Sequence, residues 1–205
     1  MTTLDGAIDK NQLHQSSHAI AHEHDEARNS MFGFVVFLLS ESIVFLSFFA
    51  GYILYKTTSP SWLPPGVEGL AVREPAINTV VLVSSSFVIY IAERYLHKNN
   101  LWGFRFFWLA TMAMGSFFIY GQAVEWQSLN FGFTSGVFGG TFYLLTGFHG
   151  LHVMTGILLQ GIMLIRSFIP GNYEKGQFGV EASSIFWHFV DVIWIILFIL
   201  IYVWQ

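Results

Sequence analysis

From residue 31 onward the chain is a series of long apolar runs separated by short polar or Pro- and Gly-rich segments. Five runs, at about 31–55, 76–96, 104–124, 137–165 and 181–204, are each long enough to cross roughly 30 Å of hydrocarbon at ~1.5 Å per residue. The breaks are Pro60-Ser61-Trp62-Leu63-Pro64-Pro65-Gly66, the turn from Glu93-Arg94 to Asn100, the stretch Glu125 to Ser135, and Pro170-Gly171-Asn172. Pro and Gly belong in such connections because they end helices. A membrane barrel needs runs of about ten residues that alternate polar and apolar. Ile193-Trp194-Ile195-Ile196-Leu197-Phe198-Ile199-Leu200-Ile201 does not alternate. The pattern predicts an all-α fold, an integral membrane bundle of five transmembrane helices over residues 31–205.

Residues 1–30 differ in kind. They carry five acids, two bases and four histidines (His14, His18, His22, His24), and are expected to form a flexible polar tail. No basic stretch followed by a short apolar run and a small-residue cleavage site occurs there, so no signal peptide is read. His22-Glu23-His24 has the residue types to touch a metal, but a solvated, disordered segment is the better reading.

Composition supports the membrane reading. Charged residues make up 11% of the chain, against about 25% in a soluble domain, too few to cover a water-facing surface. The net charge of −4 argues against a nucleic-acid partner. The absence of cysteine excludes disulfides, zinc–thiolate sites, iron–sulfur clusters and thioether-attached haem.

Lys and Arg divide unevenly between the two sides. Lys10, Arg28, Arg94, Lys98, Arg105, Arg166 and Lys175 fall in the tail and the second and fourth loops, with Lys56 and Arg73 opposite. By the positive-inside rule the N-terminus is cytoplasmic and the C-terminus outside. No repeat at a fixed period is visible, and an odd number of spans fits poorly with the inverted halves of many transporters.

Polar groups deep in the spans carry the chemistry. Glu41 lies in the first, His149 and His152 in the fourth, and His188 and Asp191 in the fifth, while Gln122 and Glu125 close the third. A charged carboxylate at the bilayer centre costs on the order of 3 kcal/mol on insertion scales, so these groups should face the bundle interior. The i, i+3 spacing puts His149 with His152, and His188 with Asp191, on common helix faces, Ser184 lying on the same stripe as the latter pair. One buried cluster including Glu41 is expected. Inter-helix hydrogen bonding, proton handling, and a metal site of His149, His152, His188 and Asp191 all remain open for it. The metal reading is the thinnest of these: His at i, i+3 is a less usual chelating pair than i, i+4, and no further acid completes a shell. Three intramembrane histidines are too few for a two-haem and copper centre.

Gly136 and Gly140 form a small-xxx-small pair, and Gly147, Gly150 and Gly156 thin the fourth helix for close packing. Trp62, Trp102, Trp108, Trp126 and Trp204 sit near span ends, as interface-belt residues do. Trp187 and Trp194, seven apart, are read as a packing stripe.

Two blocks, Thr146-Gly147-Phe148-His149-Gly150-Leu151-His152-Val153 and Trp187-His188-Phe189-Val190-Asp191-Val192-Ile193-Trp194, resemble the signature segments of subunit III of haem-copper terminal oxidases. Further segments fit in the same order. Phe32-Gly33 with Leu39-Ser40-Glu41 is similar to the family's first shared helix, and Asn78-Thr79 to the start of the next. Ser135 to Phe142 and Phe178 to Ala182 match the flanks of the last two.

The resemblance covers about residues 31–205 and is to the short five-helix bacterial form. The longest members have two further helices that wall a lipid-holding cleft, so membrane lipid as a partner is put in question here. The resemblance implies a non-redox subunit with no cofactor, metal or catalytic residue of its own. It would pack beside subunits I and II, the haem and copper lying in those partners, and support proton uptake and the durability of the active site. The implied location is the bacterial inner (plasma) membrane, or a thylakoid or other internal membrane. Cytochrome c is the donor suggested by the wording of the two blocks. A quinol oxidase, a nitric oxide reductase partner and a stand-alone ion or metal transporter are the alternatives.

Overall fold

In the computed structural model, the backbone is described for residues 10–64, 66–67, 69–171, 173 and 177–204, and side chains from residue 29 onward. The regular elements of the described residues are all helices, joined by turns and loops, with no strand among the described residues. The helices are α1 (Lys10–Thr58), α2 (Arg73–His97), α3 (Leu101–Ser128), α4 (Gly136–Arg166) and α5 (Phe178–Phe198), the last continued by a π-helical turn, Ile199–Val203. Among the described residues, five segments are long and apolar enough to cross a membrane: Asn29–Thr58, Arg73–His97, Leu101–Ser128, Gly136–Arg166 and Phe178–Val203. Each expected span is found, most of them a few residues longer at one or both ends.

Local chemistry sets the helix ends. Asn99 takes a left-handed φ of 55°, which Asn tolerates better than most residues. The side chain of Asn100 then accepts from the Gly103 amide at 3.0 Å, which caps α3. This tight turn makes α2 and α3 an antiparallel hairpin, the most extensive helix pairing in the molecule. Gly136 opens α4 at φ 87°, a conformation that a side chain makes costly. At the other end of α4, Arg105 from α3 holds the chain: its Nε donates to Ser167 Oγ at 3.0 Å, a terminal nitrogen donates to the Ser167 carbonyl at 2.5 Å, and the guanidinium lies 4.2 Å from the Phe168 ring centre.

Packing makes α2, α3, α4 and α5 a closed four-helix ring, each helix touching the next, with α1 laid outside against α4 and α5. Two tryptophans of α5 fill the ring. The indole of Trp187 donates to Ser85 Oγ on α2 at 2.8 Å and lies against Gly115 of α3 and Gly156 of α4. Two turns on, the Trp194 indole donates to Thr79 Oγ1 on α2 at 2.9 Å, and its ring stands 4.7 Å from Phe118 of α3 and 4.8 Å from His149 of α4. The expected stripe therefore exists and is the axis of the core. Trp108, by contrast, is not an interface residue. It is fully buried and donates to the Gln160 carbonyl at 2.9 Å. The cause is register: α3 begins at Leu101, so Trp108 lies two turns inside it and faces α4.

Candidate functional site

In a bilayer every polar group needs a partner within the protein. Most hydroxyls in the spans bond back to their own helix: Ser42 to the Leu38 carbonyl at 2.8 Å, Thr146 to Phe142 at 2.7 Å, Thr155 to Leu151 at 2.9 Å. The groups that instead reach between helices are the informative ones.

Glu41 on α1 meets His152 on α4. His152 Nε2 lies 3.2 Å from the Glu41 carboxylate, and its Nδ1 lies 2.8 Å from the Phe148 carbonyl one turn back. A carbonyl only accepts, so Nδ1 carries a proton. Nε2 then either presents a lone pair to a protonated Glu41 or holds a second proton facing its carboxylate. In both cases one proton lies between Nε2 and the Glu41 carboxyl oxygen. Phe45 and Phe148 close over the imidazole at ring-centre distances of 5.0 and 4.8 Å. The Glu41 side chain keeps 23% of its surface accessible and His152 12%.

His188 and Asp191 on α5 meet through Ser86 on α2. Ser86 Oγ lies 2.9 Å from His188 Nδ1 and donates to the Asp191 carboxylate. A hydroxyl has one proton to give, so with Ser86 donating to Asp191, His188 Nδ1–H donates to Ser86. The result is a directed chain from imidazole to hydroxyl to carboxylate across the α2–α5 seam. Ser184 is buried one turn before His188.

His149 stands apart from both pairs. It is fully buried between Phe118, edge-on at 5.8 Å, and Trp194, and neither ring nitrogen has a hydrogen-bond partner. The expectation of a single cluster resolves into two bonded pairs and one enclosed imidazole. Residues three apart on a helix diverge by about 60°. On α4 that is enough to aim His152 at α1 and His149 into the ring. Among the described residues no group of three or more His, Cys, Asp or Glu is placed to hold a metal ion, and the same divergence explains why. The histidines of 1–30 lie outside the described side chains.

The glycines also separate. Gly156 takes the Trp187 ring, an added Cβ falling 2.8 Å from it, and Gly147 takes Trp126 at 3.2 Å. Gly150 has only an ordinary contact with Ile119, and Gly140 faces the Phe133 carbonyl at 3.6 Å rather than a helix. Gly136 meets nothing within 4 Å and serves the helix start. Sequence reasoning missed Ser85, Ser86, Thr79 and Gly115. The signal was the triplet Ser84-Ser85-Ser86 in an otherwise apolar run. It also missed that the Glu125 carboxylate accepts from both Gln122 Nε2 and the Tyr202 hydroxyl, each at 3.0 Å, which fixes the end of α5 to α3.

Comparison with known proteins decides the family. The profile described as "Cytochrome c oxidase subunit III" matches residues 10–205. The chain belongs to that family. It is 44% identical over 182 residues to cytochrome c oxidase subunit 3 of Synechocystis sp., covering 88% of this chain and 77% of that one. It is 45% identical over 184 residues to the Thermostichus vulcanus protein of the same name, covering 89% and 90%. The subunit 3 of Oryctolagus cuniculus is 34% identical over 180 residues, covering 84% of this chain and 69% of that one. Membership of the cytochrome c oxidase subunit III family together with five membrane-crossing helices makes this a multi-pass membrane protein and an accessory subunit of a haem-copper oxidase. The family is not itself a metal centre.

Proposed function

We propose that the chain is the non-redox subunit III of a proton-pumping terminal oxidase, of the cytochrome c oxidase type. It packs beside subunits I and II, which hold the haem and copper, and supports proton uptake to that centre and the centre's durability. The N-terminus faces the cytoplasm and the C-terminus the outside. The membrane is the bacterial plasma membrane or an internal thylakoid membrane, and cytochrome c is the donor.

The observation that carries the proton reading is the Glu41–His152 pair. It joins two helices, shares one proton by the hydrogen-bond logic of Nδ1, and leaves part of the Glu41 side chain accessible on the outlying helix α1. Intramembrane Glu and His in such an arrangement mark proton routes. A purely structural tie would use the same contacts, so the test must separate the two. Glu41→Gln preserves the size of the side chain and can still donate a hydrogen bond to Nε2, but it removes the shared proton. In the purified complex, oxygen consumption, proton uptake and working lifetime are measured together. Slower uptake or a shortened lifetime with the subunit still bound is the expected outcome. Wild-type values in all three would assign the pair to packing alone. Recovery of haem-containing partners with the tagged chain tests the assembly itself, and a stable haem-free chain without partners would overturn it.

A further inference from the structure

α1 does not stop where its membrane span begins. The span starts at Asn29, but the helix runs back without interruption to Lys10. Residues 10–28 therefore carry it about 28 Å further at ~1.5 Å per residue. That backbone changes which histidines belong together. His22 and His24, close in the sequence, are two apart and lie on different sides of a helix. His14, His18 and His22 are four apart in succession, and an α-helix stacks such residues turn upon turn on one face. Glu26 takes the next place in the same row.

Three histidine positions in one row have a specific chemistry. Residues at i and i+4 place their Cβ atoms about 5–6 Å apart, and an imidazole nitrogen binds a zinc ion at about 2.0–2.1 Å. Adjacent members of the row can therefore hold one ion between them. The two ends cannot, because His14 and His22 are separated by about 12 Å along the axis. A single ion is held by His14 with His18 or by His18 with His22, so His18 belongs to both pairs. Imidazole suits zinc, copper and nickel, whereas magnesium and calcium prefer sets of oxygens. The chain has no cysteine, so no thiolate competes. Among the described residues no group of three or more His, Cys, Asp or Glu is placed to compete either.

We propose that His14, His18 and His22 form a binding site for one divalent transition-metal ion of the zinc class, held by either adjacent pair, with water completing its coordination. The ion is exchangeable and lies outside the membrane-crossing spans, apart from any haem or copper of a partner. The inference stands on the helical register of residues 10–28 and does not depend on the oxidase reading.

The test uses the full-length chain in detergent micelles, purified through a tag that contains no histidine and stripped with a chelator. Binding of Zn2+ alone is followed by equilibrium dialysis, with helix content checked by circular dichroism. Expected is one saturable ion per chain. His18→Gln removes a ligand from both pairs and should weaken binding at least about tenfold, the advantage of a second, intramolecular ligand being lost. His14→Gln or His22→Gln alone leaves one pair intact and should lower affinity only by the statistical loss of the other. The two together should weaken binding as His18→Gln does, and His24→Gln should match wild type. Ala19→Pro keeps every ligand but breaks the helix through the row, and should weaken binding as much as His18→Gln. No saturable ion on the wild-type chain, or wild-type affinity in His18→Gln, would overturn the proposal. A deficit in either end variant as large as in His18→Gln would overturn it too, as would wild-type affinity in Ala19→Pro.

Discussion

Adding one methyl group at Gly156 should destabilise the bundle far more than its size suggests. A Cβ there would fall 2.8 Å from Trp187 Cε3 and 3.0 Å from Cζ3, where carbon contacts are comfortable at about 3.5–4.0 Å. The indole must retreat by roughly 0.7 Å at its nearest atom. It has nowhere to go. On the far side the ring already lies where a Cβ on Gly115 would stand 2.5 Å away, and the Nε1–H bond to Ser85 at 2.8 Å fixes its tilt. Overpacking of this kind costs about 1–3 kcal/mol, or a factor of about 5 to 150 in the folding equilibrium at ~1.36 kcal/mol per tenfold.

The measurement is reversible unfolding of the chain in mixed detergent micelles, followed by helical circular dichroism. Gly51→Ala on α1 is the control. Nothing lies within 4 Å of its added Cβ, so helix propensity alone should make it neutral or stabilising. Trp187→Phe should relieve the Gly156→Ala clash, giving a coupling of at least ~0.5 kcal/mol in a double-mutant cycle. If Gly156→Ala matches Gly51→Ala within about 0.5 kcal/mol, the wedge argument is wrong.

Other expectations follow from single contacts. Ser85→Ala leaves the Trp187 N–H buried without its acceptor and should cost about 0.6–2 kcal/mol in the same unfolding assay; Ser86→Ala should weaken the α2–α5 seam and free the His188 ring, visible as a change in its NMR tautomer signal. Glu41→Gln should leave the subunit bound while changing proton uptake or enzyme lifetime, as set out above. Tyr173, in the loop before α5, donates to the Met163 carbonyl at 2.5 Å, and burial raises its phenol above the ordinary value of 10.0. A raised folded-state value means this contribution is complete below about pH 10 and lost as pH climbs past the folded value. Tyr173→Phe should therefore lower stability at pH 7 by about 1 kcal/mol and flatten its decline above pH 10, checked by melting curves across pH 8–11.

The sequence by itself determined what the solvent imposes. Lipid demands about twenty apolar residues per crossing and forbids unpaired backbone, so the five spans and the all-helical class were legible from runs and breaks alone. It also picked out Glu41, His149, His152, His188 and Asp191, because an ionisable residue in an apolar run needs a special reason. Two eight-residue blocks were enough to indicate the family. What the tertiary structure decided is which of those groups meet. Side chains three residues apart diverge by about 60°, a small angle on one helix but enough to send His152 to Glu41 on α1 and leave His149 between two aromatic rings. The bridging role of Ser86 and the wedge of Trp187 between Gly115 and Gly156 depend on the axial register of α2, α3 and α4 against α5. That register is set by side-chain fit between helices. Fit is a property of two surfaces together, and neither helix's sequence contains it alone.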